Sequence, residues 1–319
     1  MKRIHYKHLL VALLTFSSLQ TLIAQIPPGY YTPADGLSGT PLKTALNNII
    51  KGHVEFTYSG SGTDVWDILK ETDRDPNNSN NVILLYTGAS VNGAEEYNNG
   101  SGWNREHVWA KSHGDFGNSN GPGTDAHHLR PCNIQVNSDR GNMWFGNAST
   151  PHYLGGSATG NFYSTADHLW QPRAAIKGDV ARMIFYMATR YEGQNGEPDL
   201  EVIDYIPSSS SSNNPVHALL TDLLQWHTED PVDDWERNRN DIIYYDYQNN
   251  RNPFIDNPEY VGLIWGGAIA SSISYEINNQ PKELLKIIDM TGREISPKPN
   301  TVLIYIYSDG SRQKRVLAE

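Results

Sequence analysis

The chain has 319 residues and a formal net charge of −11 at pH 7, from 25 Lys and Arg against 36 Asp and Glu. This length accommodates one large domain with a smaller appendage. The negative charge excludes a protein that coats nucleic acid with its whole surface. A local basic groove is still allowed, because residues 101–190 contain eight Lys and Arg and six Asp and Glu. The single cysteine, Cys132, excludes an intramolecular disulfide.

The N-terminal residues 1–24 have the pattern of a signal peptide. A basic start is followed by the apolar segment 9–16 and by Leu-Ile-Ala at 22–24, a suitable cleavage site. We therefore expect export with periplasmic transit, and a secreted or outer cell-surface location. No later stretch approaches the roughly 18–20 apolar residues of a membrane span, so no transmembrane segment is expected in the mature chain.

The next part of the chain is predicted to be mainly helical, with few strands. Apolar residues at helical spacing predict five helices, at residues 40–50, 64–70, 174–191, 215–227 and 231–247. A short apolar run predicts a buried strand at 82–86. Two polar stretches rich in glycine and asparagine, 87–102 and 147–166, are predicted to be loops.

Residues 103–142 are predicted to form two strands followed by a helix. The first strand covers 103–109 and leads into the glycine-rich loop 114–123. Residues 126–131 return as the second strand of a hairpin, and 133–142 form a short helix. The tryptophans of this stretch are expected in the core rather than as platforms for nucleic-acid bases: Trp103, Trp109 and Trp144.

The residue types in this stretch suit a bound metal ion and a phosphate. Five of the eleven histidines lie between His107 and His152. Glu106 and Asn137 offer oxygen ligands to a hard cation such as Mg²⁺, and His107 offers a base that is largely neutral near pH 7. Bidentate donors to phosphate come from three arginines: Arg105, Arg130 and Arg140.

Phosphodiester hydrolysis needs a base for water and positive charge near the phosphate and the departing oxygen. The pattern therefore favours a metal-dependent nuclease with His107 as base and Glu106 and Asn137 as metal ligands. One of His127 and His128 either donates to the metal-ligand shell or the phosphate, or orients neighbouring groups and packs within the hairpin. Neighbours on a regular strand point to opposite faces, so a bulge or a strand end is predicted at residues 106–107.

Two other classes of function stay open. The pair His127-His128 suits a zinc phosphatase or protease, although the sequence has no His-Glu-x-x-His helix and no cysteine-rich zinc motif. The many tyrosines and asparagines suit a non-enzymatic surface binding module. The purified protein's metal content distinguishes the first class, and a nicking assay with and without EDTA distinguishes the second.

Three motifs resemble the signature of the bacterial endonuclease I family. They are Arg105-Glu-His-Val-Trp, Asp125-Ala-His-His-Leu-Arg-Pro and Val136-Asn-Ser-Asp-Arg-Gly-Asn. The resemblance continues through residues 177–191 and 250–256 and covers roughly 40–266. It implies an α+β fold with a mainly helical body around a ββα-metal (His-Me finger) core.

The same resemblance implies sequence-non-specific cleavage of DNA, and of RNA in many members, outside the cytoplasm and with 5′-phosphate ends. Its roles fall on Glu106 and Asn137 as ligands of Mg²⁺ (with Mn²⁺ or Ca²⁺ as substitutes) and on His107 as general base. A phosphate-contacting arginine is also implied. Arg130 is the first choice for it, and Arg105 and Arg140 follow as substrate-binding residues.

The C-terminal residues 281–319 have short β-rich runs around turns, which predicts a small all-β domain. They resemble the sorting domain of type IX secretion substrates, which implies contact with an export machinery. A plain β-module for surface attachment is the alternative. The predicted organisation is a signal peptide at 1–24, a nuclease domain at 25–266, a linker at 267–280 and the tail domain.

Overall fold

The computed structural model describes residues 26–207, 213–217, 219–269, 284–288, 293–296, 302–307 and 312–316. The chain divides into two compact units, residues 1–267 and 268–319. The predicted signal peptide lies outside the described residues, as does the predicted linker from residue 270 onward.

The larger unit is built on helices, and the most deeply buried of them is central. The described helices are α1 (Gly39–Ile50), α2 (Val65–Thr72), α3 (Ile134–Arg140), α4 (Lys177–Arg190), α5 (Leu220–Glu229), α6 (Asp234–Ile242), α7 (Pro253–Asp256) and α8 (Glu259–Ile269). Every residue of α4 after Lys177 is buried, because α1, α5 and α7 pack against it. None of the described helices is long and apolar enough to cross a membrane.

Short strands surround the helices in the larger unit. One sheet has the order β1-β2-β3, two strands form a hairpin β4-β5, a four-stranded sheet has the order β6-β9-β8-β7, and β10 pairs with β11. Their bounds are β1 (Arg74–Asp75), β2 (Asn78–Ile83), β3 (Ser90–Asn92), β4 (Trp103–His107), β5 (Leu129–Asn133), β6 (Trp144–Phe145), β7 (Thr150–Leu154), β8 (Ser157–Ser164), β9 (Leu169–Gln171), β10 (Glu201–Val202) and β11 (Val216–His217). Together with the helices they make a mixed α+β fold.

The loop prediction for residues 147–166 is wrong, because this stretch contains the paired strands β7 and β8. They are antiparallel and joined by Gly155 and Gly156. These glycines have φ of 56° and 83°, the left-handed conformations that a tight two-residue hairpin turn requires. The strand prediction at 82–86 is also displaced, since β2 ends at Ile83.

The predicted pair of strands and following helix is confirmed. β4 and β5 pair antiparallel, from Trp103 opposite Asn133 to His107 opposite Leu129. Asn133 ends the hairpin and caps α3, because its side chain accepts hydrogen bonds from the N–H groups of Gln135 and Val136. The hairpin therefore leads directly into the helix that carries the third predicted site residue.

A compact apolar cluster fixes the hairpin against α2. Trp103 and Leu129 pack with Val65 and Leu69, and all four side chains are fully buried. α2 itself begins at a capping box on Asp64, which stabilises its first turn. The expected burial of the three tryptophans is confirmed, since each has no exposed surface: Trp103, Trp109 and Trp144.

The smaller unit contains a three-stranded antiparallel sheet of order β12-β13-β14. Its strands are β12 (Leu284–Ile288), β13 (Val302–Tyr307) and β14 (Arg312–Val316). This agrees with the β-rich pattern of the sequence.

Candidate active site

The predicted metal ligands and base lie in one cleft of about 610 Å³. Its lining includes Glu106 and His107 at the end of β4 and Asn137 on α3. The strand continues regularly to His107 and ends there, which confirms the predicted strand end and excludes a bulge. A larger cavity, of about 830 Å³, contains none of the predicted site residues.

The imidazole of His107 is held in one tautomer. Its Nε2 lies 3.0 Å from the carbonyl oxygen of Gly123. A carbonyl only accepts hydrogen bonds, so Nε2 carries the proton and Nδ1 keeps its lone pair. Burial lowers the pKa of His107 well below its usual value, and the ring stacks on Tyr58 with centroids 5.5 Å apart. The result is a neutral, oriented base.

The carboxylate of Glu106 is buried beside the cleft, with 2% of the residue exposed. The hydroxyl of Tyr86 donates to its Oε1 at 2.7 Å, and Nη1 of Arg140 lies 3.3 Å from the same oxygen. Burial raises the pKa of Glu106, and the charge of Arg140 and the hydrogen bond from Tyr86 oppose that rise. Burial outweighs both effects, so the net shift of the pKa of Glu106 is upward.

The amide of Asn137 is oriented by its own nitrogen. Nδ2 donates to Oδ1 of Asn104 at 2.9 Å and reaches the carbonyl of Arg105 at 3.5 Å. With the nitrogen engaged there, Oδ1 is the atom left for a cation.

This donor set fits a hydrated magnesium ion. One carboxylate and one amide supply few protein oxygens, and Mg²⁺ keeps several of its waters. Across the described parts of the chain, no three His, Cys, Asp or Glu side chains cluster as a metal cage. A zinc site of the usual three or four such ligands is therefore absent from those residues.

Arg105 is brought to the cleft on an aromatic support. Its guanidinium carbon lies 3.4 Å from the ring centroid of Tyr58 and 3.9 Å from that of Trp66. Nη1 donates to the carbonyl of Tyr58 and to Oγ of Ser59. This stack holds a positive, planar group in the cleft.

Arg140 also lines the cleft, but its donors are largely engaged by the protein. Nη1 donates to the carbonyl of His107 at 3.2 Å, and Nη2 donates to that of Val108 at 2.9 Å. Its ion pair with Glu106 uses the same guanidinium. The side chain thus ties the end of α3 to the end of β4.

Arg130, the first choice for the phosphate contact, is not brought to the cleft. Its side chain is buried, with Nε 2.5 Å from Oδ1 of Asp73 and Nη1 3.4 Å from Oδ2 of Asp179. Arg239 pairs with the same Asp73. The structure corrects the sequence-based assignment, because buried carboxylates occupy this guanidinium.

His127 and His128 are likewise directed into the protein. Nε2 of His127 bonds the carbonyl of Asn250 at 3.1 Å, and Nε2 of His128 bonds that of Pro122 at 2.7 Å. Burial lowers the pKa of each imidazole to about 4. Two interpretations of these histidines were left open above. The geometry supports the one in which they orient neighbouring groups and pack within the protein, and it gives no support to substrate contact.

Sequence reasoning missed the residues that orient the site. Asn104 could have been predicted from strand periodicity, because it lies two positions before Glu106 and on the same side of the strand. Tyr86 could not have been predicted in this way, because it lies twenty residues before Glu106. Tyr58 and Trp66 contact Arg105 from a separate segment of the chain, so the pattern of neighbouring residues could not predict them either.

A cleft that joins an oriented imidazole, a buried carboxylate and an amide beside arginine brings together the kinds of group that phosphodiester cleavage requires. The comparisons agree, since residues 38–259 match the model of the Endonuclease I family. Two similar proteins are named extracellular ribonuclease. That of Bacillus subtilis (strain 168) is 55% identical over 236 residues, 74% of this chain and 78% of that protein. The extracellular ribonuclease of Bacillus amyloliquefaciens is 54% identical over 253 residues, which cover 77% of this chain and 83% of that protein.

The chain therefore belongs to the Endonuclease I family, and it is a nuclease that binds nucleic acid. Nucleases of this family are metal-dependent. The match ends at residue 259 and so does not include the tail.

Proposed function

We propose that the protein is a secreted, Mg²⁺-dependent, sequence-non-specific endonuclease that cleaves RNA and DNA and leaves 5′-phosphate ends. The observation that supports it most directly is the convergence of Glu106, His107 and Asn137 on one cleft, with Nδ1 of His107 as the unprotonated ring atom. The strand-strand-helix unit that carries them corresponds to a ββα-metal core.

In the proposed mechanism His107 accepts a proton at Nδ1 from the attacking water. The water approaches the phosphorus in line with the 3′-oxygen, which departs and leaves the phosphate on the 5′ side. Arg105 contacts a backbone phosphate and orients the strand. Glu106 and Asn137 would hold a divalent cation, which would supply positive charge to stabilise the phosphate and the departing oxygen.

The choice of substrate follows from the contacts and from the relatives. Arginine and metal contacts to phosphate carry no information about base sequence, so cleavage is non-specific and binding weakens as salt rises. The name of both relatives, extracellular ribonuclease, supports RNA as a substrate and supports secretion. DNA has the same phosphodiester geometry at the reacting atoms.

The assignment of the chain's outer parts also belongs to this proposal. Residues 1–24 act as a signal peptide, 25–266 form the nuclease domain, and 267–280 link it to the tail. Residues 281–319 act as a sorting domain that contacts an export machinery and has no part in catalysis. Outer-surface attachment follows where the tail is retained.

The deciding experiment compares wild-type protein and His107→Ala on supercoiled plasmid and on RNA, with Mg²⁺ and with EDTA. We expect the wild type to cleave both in Mg²⁺ and neither in EDTA, and the variant to bind normally without turnover. Cleavage in EDTA contradicts the metal assignment, and cleavage by His107→Ala removes this residue from the mechanism. Binding by the wild type without cleavage favours a binding module, and zinc in the purified protein favours a zinc hydrolase.

A further inference from the structure

Tyr97 presents an exposed aromatic ring in the lining of the cleft. It is 56% exposed and lines the same cleft as His107. The other exposed tyrosines of the described chain, Tyr153, Tyr205 and Tyr245, do not line it. Trp103, Trp109 and Trp144 are fully buried, as the sequence predicts, so they are unavailable for stacking on a base.

The backbone holds this tyrosine in an unfavourable conformation. Three consecutive residues, Tyr97, Asn98 and Asn99, have φ of 46°, 36° and 53°. Asparagine tolerates positive φ, but a bulky aromatic residue rarely adopts it, and such strain concentrates at functional positions. The N–H of Tyr97 donates to the carbonyl of Trp103 at 2.7 Å, so the strained turn is fixed to the first residue of β4.

The attachment to β4 sets the distance from the reacting groups. His107 lies four residues after Trp103, and a strand rises about 3.3 Å per residue, so the two backbone positions are roughly 13 Å apart. Arg105, whose guanidinium lies over the rings of Tyr58 and Trp66, is on β4 between Trp103 and His107. A nucleic-acid strand with a phosphate at His107 therefore places a nearby nucleotide beside Tyr97.

We propose that Tyr97 is a stacking platform for an unpaired base and makes the enzyme prefer single strands to duplexes. The inference rests on the proposed nuclease function and names its substrate class. An aromatic face stacks on any base without reading sequence. In a duplex the faces of the bases are covered by their neighbours, and only unpaired nucleotides offer them. The ring thus adds affinity for single strands alone.

The test uses an oligonucleotide and its duplex of the same sequence, with Tyr97→Phe, Tyr97→Ala and the control Tyr153→Ala. Tyr153 matches Tyr97 in exposure, at 58%. For Tyr97→Ala we expect kcat/KM on the single strand to fall about tenfold, mainly through KM, as loss of one stacked base implies. Duplex cleavage changes less than twofold, and Tyr97→Phe and Tyr153→Ala behave as wild type.

Binding of a fluorescent single strand in EDTA provides a readout that does not depend on turnover. The Kd of Tyr97→Ala should rise about tenfold while its melting temperature is unchanged. An equal loss on single strand and duplex, or no loss on either, overturns the stacking role. A wild type that binds but cleaves neither polymer contradicts the nuclease proposal, and the binding comparison still decides the role of Tyr97.

Discussion

Nε2 of His107 donates a hydrogen bond to the carbonyl oxygen of Gly123, 3.0 Å away. The preceding carbonyl, that of Pro122, accepts from Nε2 of His128 at 2.7 Å. Two consecutive carbonyls of one loop thus hold two buried imidazoles. The position of the proposed base therefore depends on the packing of the loop that supplies Pro122 and Gly123.

Gly123→Ala is expected to lower activity by displacing the carbonyl that orients His107, although the substitution does not change His107 itself. A Cβ at this position would lie 2.5 Å from the carbonyl oxygen of Ser119 and 2.8 Å from that of Gly117. Both are backbone atoms, so the loop must shift and carry the acceptor of His107 with it. We expect kcat to fall about 100-fold with KM nearly unchanged, because misplacement of about 1 Å costs that much.

The control is Gly62→Ala, since no atom lies within 4 Å of its added Cβ. Steady-state kinetics on RNA and a melting curve measure both variants. A Gly123→Ala enzyme with wild-type kcat shows that the carbonyl is not needed.

Tyr86→Phe is expected to weaken metal binding. The variant removes the 2.7 Å hydrogen bond to Glu106 and leaves a buried carboxylate less firmly oriented. Loss of a partner behind a metal ligand lowers affinity by roughly 10- to 100-fold. The Mg²⁺ concentration for half-maximal cleavage should therefore rise, and saturating Mg²⁺ should restore most of the rate.

Tyr191→Phe is the matched control for this effect. It also removes a buried tyrosine hydroxyl that donates to a carboxylate, that of Asp125 at 2.9 Å, but away from the cleft lining. An equal change in Mg²⁺ dependence for both variants would show a general loss of stability instead.

Arg130→Met is expected to affect stability and not chemistry. Arg130 pairs with the buried Asp73, which Arg239 also contacts. Breaking a buried pair costs about 3–5 kcal/mol, which lowers the melting temperature by roughly 10 °C in a chain of this size. The kcat of the folded enzyme at low temperature should stay within a few-fold of wild type. A large loss of kcat at an unchanged melting temperature would return Arg130 to the catalytic set.

The protein should lose stability on acidification, between about pH 6.5 and 4. Burial lowers the pKa of His127 and of His128 to about 4 in the folded state, against about 6.5 in the unfolded chain. In that interval the unfolded chain binds more protons, so its population grows as the pH falls. Each imidazole contributes on the order of 3 kcal/mol to this loss.

Urea unfolding at several pH values measures the effect. Replacing His127 with Gln should flatten the dependence over this interval, although it lowers stability at pH 7. An unchanged slope in His127→Gln contradicts the assignment of the effect to this histidine.

The candidate site could be predicted from the sequence because its residues are concentrated in one hairpin and the helix that follows it. Glu106 and His107 are adjacent, and Asn137 follows on the next element, so local pattern was enough to bring them together. The same reasoning predicted a bulge or a strand end at residues 106–107, and the structure shows the second, because β4 ends at His107.

The local sequence pattern could not predict which of the arginines faces the cleft. Arg105, Arg130 and Arg140 look alike in sequence, and the difference lies in what surrounds each. Arg130 meets Asp73, which is 57 positions away, whereas Arg105 meets the rings of Tyr58 and Trp66. A guanidinium turns toward whichever carboxylate or ring the packed chain supplies.

The sequence by itself determined the proposed reactive groups, the hairpin and helix that carry them, and the membership of a nuclease family. Only the tertiary structure decided the tautomer of His107, the support of Glu106 by Tyr86 and the exposed position of Tyr97. The physical reason is one of range. Strand and helix periodicity act between neighbours, whereas hydrogen bonds, ion pairs and exposure are set by segments that meet only when the chain is packed.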